Sequence, residues 1–176
     1  MTTVMTVRGM FRRKRREVLL AGVKPGDVVL DYGCGIGFST LAAAKIVGNQ
    51  GKVYALDVNP LAIKAVKTKA KKKRLENVET ILSGLDTGLS NESIDVILLY
   101  NVLPMVKNPP ALIQELYRVL KPAGTLAYKT GKGAEVSSGR SYTTDEVTKL
   151  MEDNGLLKLE RKIGKFYIFS KSNKEM

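Results

Sequence analysis

An open α/β sheet of seven mainly parallel strands, with helices on both faces and a C-terminal antiparallel hairpin, is the architecture this sequence predicts. Three observations carry it. Short apolar runs and amphipathic, helix-prone stretches alternate five times along the chain, as in repeated βαβ units. Residues 28–40 read Val-Val-Leu-Asp-Tyr-Gly-Cys-Gly-Ile-Gly-Phe-Ser-Thr, an apolar run broken by Gly33, Gly35 and Gly37 before the helix-prone Leu41-Ala42-Ala43-Ala44: strand, tight turn, helix. Residues 156–163 and 165–171 alternate in polarity and meet at Gly164, which predicts the hairpin. With 176 residues and 44% hydrophobic content, one globular domain with a proper core is expected. It divides into a basic leader and helix over 1–22, a core over 23–171 and a tail over 172–176.

Within residues 9–21, Arg12, Arg13, Lys14, Arg15 and Arg16 precede Val18, Leu19 and Leu20 and form a short basic helix. Two readings stand side by side: an electropositive lid or nucleic-acid contact, and a solvated helix whose few apolar residues cap the sheet. Lys24-Pro25-Gly26-Asp27 is a turn into the first strand. Gly48-Asn49-Gln50-Gly51 ends the next helix, and Lys52-Val53-Tyr54-Ala55-Leu56-Asp57 is the second strand. Residues 60–75 predict a helix with Leu61, Ala62, Ala65, Val66 and Ala70 on its buried face and Lys64, Lys67, Lys71, Lys72 and Arg74 on the others, a solvated charge run. Residues 79–82 supply the third strand. Residues 93–100 supply the fourth, deeply buried, with Asp95 expected to satisfy neighbouring backbone. Asn108 caps a helix begun by Pro109 and Pro110, with Leu112, Ile113, Leu116, Val119 and Leu120 inward. Lys121-Pro122-Ala123-Gly124 turns into the fifth strand, and the glycine- and serine-rich 131–141 is a loop, either substrate lid or plain linker. Thr143 or Thr144 caps the last helix, which Asn154-Gly155 closes. Aromatic residues at 166–169 fit a core strand better than a base-stacking surface.

Composition narrows the chemistry. Cys34 is the single cysteine and there are no histidines, so a disulfide, a multi-cysteine metal site and histidine acid–base catalysis all fall away, and no metal is expected. A net charge of +12 attracts polyanions, which keeps nucleic acid open as a partner without identifying a substrate. No apolar run reaches membrane-spanning length, and the N-terminal stretch carries charges where a signal peptide needs an apolar region; a soluble, cytoplasmic protein is expected.

Glycine at alternate positions lets the 33–37 turn bend sharply and leaves no Cβ between backbone and ligand. The following helix points unpaired N–H groups at the same place. The dinucleotide fingerprint Gly-x-Gly-x-x-Gly fails here because its sixth position is Phe38; the pattern is Asp-x-Gly-x-Gly-x-Gly, led by Asp31. An acid there repels a pyrophosphate but accepts hydrogen bonds from an ammonium or hydroxyl group. Asp57, twenty residues beyond Gly37, stands at the tip of the second strand, where one carboxylate can grip a ribose diol or simply cap the next helix.

The 31–37 pattern resembles motif I of the class I S-adenosylmethionine-dependent methyltransferases. Lys121-Pro122-Ala123-Gly124 is similar to that family's Leu-Lys-Pro-Gly-Gly segment, and the resemblance runs from about Gly22 to Lys171. It implies a Rossmann-like, doubly wound sheet and S-adenosylmethionine as cofactor, with S-adenosylhomocysteine as product. It assigns Asp57 to the ribose and places Val58 and Asn59 beside the adenine, with Gly84, Leu85 and Asp86 in the adenine loop, where the family's Gly-Asp-Ala is displaced to Ser83-Gly84-Leu85-Asp86. The implied cofactor set is Asp31, Tyr32, Gly33, Cys34, Gly35, Gly37, Asp57, Val58, Asn59, Gly84, Leu85, Asp86, Tyr100 and Asn101. Tyr100, Met105 and Tyr142 are candidates for the acceptor side, and Tyr100 and Asp86 for a general base, since no residue is uniquely catalytic. The Asn/Asp-Pro-Pro-Tyr signature of amino-group methylases is not matched by Asn101-Val102-Leu103-Pro104, and the histidines that small-molecule and lipid-quinone methylases carry here are replaced by Pro104-Met105. Methyl transfer to an undetermined, small-molecule acceptor is the leading expectation. The alternatives are an RNA or other macromolecular acceptor, and a non-catalytic cofactor-binding protein.

Overall fold

The computed structural model describes residues 7–131, 139 and 141–172. Seven strands, β1 (Val28–Tyr32), β2 (Lys52–Asp57), β3 (Val78–Leu82), β4 (Ile94–Tyr100), β5 (Leu120–Lys129), β6 (Leu157–Ile163) and β7 (Phe166–Lys171), form one sheet in the order β3-β2-β1-β4-β5-β7-β6. The first five pair in parallel, and β7 runs antiparallel between β5 and β6. The doubly wound, mainly parallel sheet with its terminal hairpin is as expected.

Five helices, α1 (Val7–Leu20), α2 (Phe38–Val47), α3 (Pro60–Lys72), α4 (Pro109–Val119) and α5 (Thr144–Glu152), cover the sheet. Successive strand residues face opposite sides, so each strand feeds two cores. Val29, Val53, Val96, Leu98 and Ala127 meet Val18 of α1, Ala21 just beyond it and the alanines of α2 on one face. Leu30, Leu56, Ile97, Leu99 and Leu126 meet Leu112, Ile113 and Leu116 of α4 and Val147 and Met151 of α5 on the other. The caps are local. Asn108 accepts from the Ala111 N–H, and Thr143 and Glu146 form a reciprocal capping box. Asp95 accepts the Val28 N–H at 2.8 Å and pairs with Lys121, the backbone role expected of it. Among the described residues no helix is long and apolar enough to cross a membrane.

Three expectations need correction. On α3 the buried face is Ala62, Ile63, Val66 and Ala70, and at 3.6 residues per turn that face points away from Leu61, which is 72% exposed. The helix stops at Lys72, where Arg74 turns into the left-handed region at φ 53°. Strand β5 begins at Leu120, directly after α4, and absorbs the Lys-Pro-Ala-Gly turn as an irregularity: Leu120 pairs with Ile94 and the register resumes at Thr125 with Val96. Gly124 is required there, since a Cβ would lie 3.0 Å from the Asp95 carbonyl oxygen. The 131–141 loop falls largely outside the described residues.

Helix α1 is more than a solvated cap. Its Glu17, 4% exposed, pairs with Lys129 at the end of β5, with Lys14 at 2.9 Å and with Arg13 at 3.2 Å. Burial raises the Glu17 carboxyl, and hydrogen bonds from Lys129 and Lys14 more than offset it, so the group is held below the usual carboxylate range. Removing one partner of a buried pair strands the other charge. Glu17→Ala is expected to cost about 3–5 kcal/mol of stability in denaturant titration, and adding Lys129→Met is expected to recover most of it. A Glu17→Ala melt indistinguishable from wild type contradicts this account.

Candidate functional site

The strand order reverses between β1 and β4, the switch point of the sheet, and a crevice opens there beyond the strand carboxyl ends. On the β1 side the chain crosses its neighbour: Gly33 and Cys34 donate their N–H groups to the same Leu56 carbonyl, at 2.8 and 2.9 Å. Gly33 has φ 71°, and a Cβ there would sit 2.2 Å from Val102 Cγ2. Only glycine fits that approach. Gly37, at φ 83°, caps α2 with a Cβ position 2.8 Å from Val66 Cγ2. The turn is thus wedged between Val102 after β4 and Val66 of α3.

Asp57 fastens the turn from the next strand. Its Oδ2 accepts the Gly35 N–H at 2.8 Å and its Oδ1 the Asn59 N–H at 2.9 Å. The α3 cap is Asn59, which accepts from the Leu61 N–H, so the capping alternative for Asp57 does not hold. On the far side, Tyr32 donates its hydroxyl to the Gly84 carbonyl at 2.9 Å, and Thr87 binds Glu115 through both N–H and hydroxyl. Arg118, then Thr87, hold the Glu115 carboxyl down at about 2, which anchors the 83–88 loop to α4.

Two clefts open at this rim. The larger, about 770 Å³, is mostly apolar and lined by Tyr32, Gly33, Gly35, Asp57, Val58, Gly84, Leu85 and Met105 among others. A smaller one, about 150 Å³, is lined by Lys14, Asp31, Gly33, Cys34, Gly37, Phe38 and Ser39. Gly33, Tyr100 and Asn101 belong to both and mark their junction. A trough therefore runs across the ends of β1 and β4, apolar at one end and charged at the other.

The methyltransferase-domain family profile matches residues 23–166, most of the chain. A crystal structure of an S-adenosylmethionine-dependent methyltransferase from Aquifex aeolicus superposes with a TM-score of 0.76 at 30% identity, covering 90% of this chain and 87% of that one. The chain belongs to the class I S-adenosylmethionine-dependent methyltransferases. Among curated relatives of this methyltransferase chain are the ubiquinone/menaquinone biosynthesis C-methyltransferase UbiE of Hydrogenovibrio crunogenus and the 2-phytyl-1,4-naphtoquinone methyltransferase of Synechocystis. The first is 35% identical over 64% of this chain and 45% of its own length, the second 38% identical over 78% and 60%. The chain spans about half the length of the curated relatives it matches.

Of the expected residues, most converge on the trough and three do not. Asn59 is spent on capping α3. Asp86 accepts the Gly88 N–H at 2.9 Å and does not line either cleft. Tyr142 lies half-buried against the α4–α5 core. Tyr100 reaches the junction with its ring, but its hydroxyl donates to the Glu17 carbonyl at 3.2 Å, and burial raises its pKa well above the ordinary phenol value. It is therefore no ready base. Burial, with Asp31 and Asp57 nearby, pushes the Cys34 thiol up as well, so it stays protonated and unreactive. Sequence reasoning missed Lys14 as a lining residue. Its signal was the basic helix before the first strand, where Glu17 is the sole acid among the first 26 residues.

Asp31 is 3% exposed, and Thr40 donates to it at 2.6 Å. Burial lifts its carboxyl to about 6, with the Thr40 bond and Lys14 only partly offsetting. Because the folded-state value lies above the ordinary 3.8, the folded chain binds the extra proton between those pH values, and stability falls as pH rises through about 6. Asp31→Asn is expected to melt increasingly above wild type as pH rises from 4 to 7, by about 3 kcal/mol at the upper end. A melting difference that stays flat across that range contradicts the assignment.

Proposed function

We propose that this chain transfers the methyl group of S-adenosylmethionine to a small-molecule acceptor. The observation that carries the reading is the two-part trough, joined at Gly33, Tyr100 and Asn101 on the switch point of the sheet. Its chemistry matches a sulfonium nucleoside end to end. In the larger cleft, Asp57 keeps lone pairs for the two ribose hydroxyls after serving Gly35 and Asn59. Val58 and Leu85, 70% and 46% exposed, offer apolar surface to the faces of an adenine. At the smaller end, Asp31 lies within reach of the amino-acid ammonium, and Lys14 opposes its carboxylate. The sulfonium then falls at the junction.

The cofactor supplies an already activated methyl group, so the protein's part is positioning and exclusion of water. Asp57 holds the sugar, Asp31 and Lys14 fix the tail, and Tyr100 presents an aromatic face whose hydroxyl is tied to α1. Tyr100 and Asp31 are both engaged, which favours an acceptor that needs no protein base. Relatives named for quinone methylation support a small acceptor, as does a cleft with mainly apolar walls. The nucleic-acid alternative has less behind it: Lys64, Lys67, Lys71 and Lys72 face solvent along α3 and line neither cleft.

Calorimetry with S-adenosylhomocysteine tests the assignment. Wild type is expected to bind, with Asp57→Ala weakening the dissociation constant about 10- to 100-fold and Lys14→Met about tenfold. Wild-type protein that releases no heat with either form of the cofactor overturns the proposal, and turnover on a panel of small acceptors separates an enzyme from a cofactor-binding scaffold.

A further inference from the structure

Asn101 carries two costs at once. It is a non-glycine residue at φ 61°, in the left-handed region. Its Oδ1 is shielded from solvent and has no hydrogen-bond partner among the described residues. One position beyond the end of β5, Thr130 Oγ1 is likewise buried without a partner. The two orphans lie close in the fold: Tyr100 and Lys129 are the last paired register of β4 and β5, and the Asn101 N–H donates to the Lys129 carbonyl at 2.8 Å. Left-handed non-glycine residues also end ordinary turns, as Arg74 does here, but buried polar atoms without a partner are rare, and a ligand that completes the arrangement accounts for them.

Place decides which ligand. Three residues line both clefts. Gly33 has no side chain, and the Tyr100 hydroxyl is held by Glu17. Of the three, Asn101 brings an uncommitted polar group to the point where cofactor and acceptor meet. Asp57 already faces the nucleoside end, and Lys14 and Asp31 the tail. What is left for the Asn101 amide is the acceptor.

We propose that Asn101 positions the methyl acceptor, and that this acceptor carries a hydroxyl group at or next to the atom that is methylated. The inference rests on reading the trough as the cofactor site. A hydroxyl both donates and accepts, so it serves the amide whichever end of it faces the cleft, whereas an ether oxygen only accepts. In the step itself, a lone or π electron pair of the acceptor forms the bond to the methyl carbon. The methyl–sulfur bond breaks with its pair left on sulfur, and the acceptor's displaced proton passes to water. Asn101 orients the nucleophile and does not deprotonate it.

The test uses hydroquinone and 1,4-dimethoxybenzene, the same ring with and without hydroxyl hydrogens, observed by ligand NMR on protein loaded with S-adenosylhomocysteine. Wild type is expected to prefer hydroquinone by about tenfold. Asn101→Gly, which adopts the same φ without strain, is expected to keep its affinity for S-adenosylhomocysteine and lose the preference; Asn101→Asp, with acceptor oxygens in place, is expected to retain it. Loaded wild type without a preference, or Asn101→Gly with the preference intact, overturns the proposal alone. Asn101→Gly that loses S-adenosylhomocysteine affinity also overturns it, because the amide then serves the cofactor. Wild type that fails to bind S-adenosylhomocysteine removes the cofactor reading and this inference together.

Discussion

The structure depends on how closely one backbone turn can lie against its neighbours. Gly33 and Cys34 share the Leu56 carbonyl, Val102 occupies the space a Cβ at Gly33 would need, and Val66 does the same at Gly37. Strand β1 is therefore locked to β2, β4 and α3 through a segment with glycine at every other position. Gly33 and Gly37 also sit at φ 71° and 83°, so a larger residue there is strained even if the facing valine turns aside. The crevice beyond β1 and β4 exists because the turn is thin, and the same thinness leaves bare main chain along its floor.

Around that turn the protein keeps charge where it is expensive. Asp31 is buried against Thr40, and Glu17 is paired with Lys129, whose ammonium lies over the ring of Phe166. A stretch selected for stability alone would place apolar residues at these positions. Their arrangement gives the small cleft both an acid, Asp31, and a cation, Lys14, in its lining. Glu17 has a second effect. By pairing with Lys129 from the end of β5 and accepting the Tyr100 hydroxyl through its carbonyl, it makes α1 a wall of the site.

Much of this was legible in the residues. The Gly33–Gly35–Gly37 spacing announces a close approach, and Asn108 and Thr143 announce helix starts; each rests on neighbours a few positions apart. Asp95 was legible as a backbone acceptor, but its partner, the Val28 N–H, lies 67 positions away. Where the reading slipped, short-range spacing left the choice of buried face or partner open. Leu61 is spaced to pair with Ala65 along α3, yet the face turned to the sheet is the one carrying Ala62, Ile63, Val66 and Ala70, and Leu61 lies nearly opposite it. Asp86 has the right chemistry and the right loop, but its carboxylate closes a local turn on Gly88.

By itself the sequence determined the βαβ alternation, the glycine turn with its flanking acids, and the family, because backbone preference and hydrophobic period are properties of adjacent residues. Tertiary structure alone decided that β7 inserts between β5 and β6, that Glu17 meets Lys129 across 112 positions, and that Tyr100 gives up its hydroxyl to α1. It also joined two clefts at Asn101. Those outcomes turn on which distant segments share a rim once the sheet has formed, and no local pattern encodes that distance.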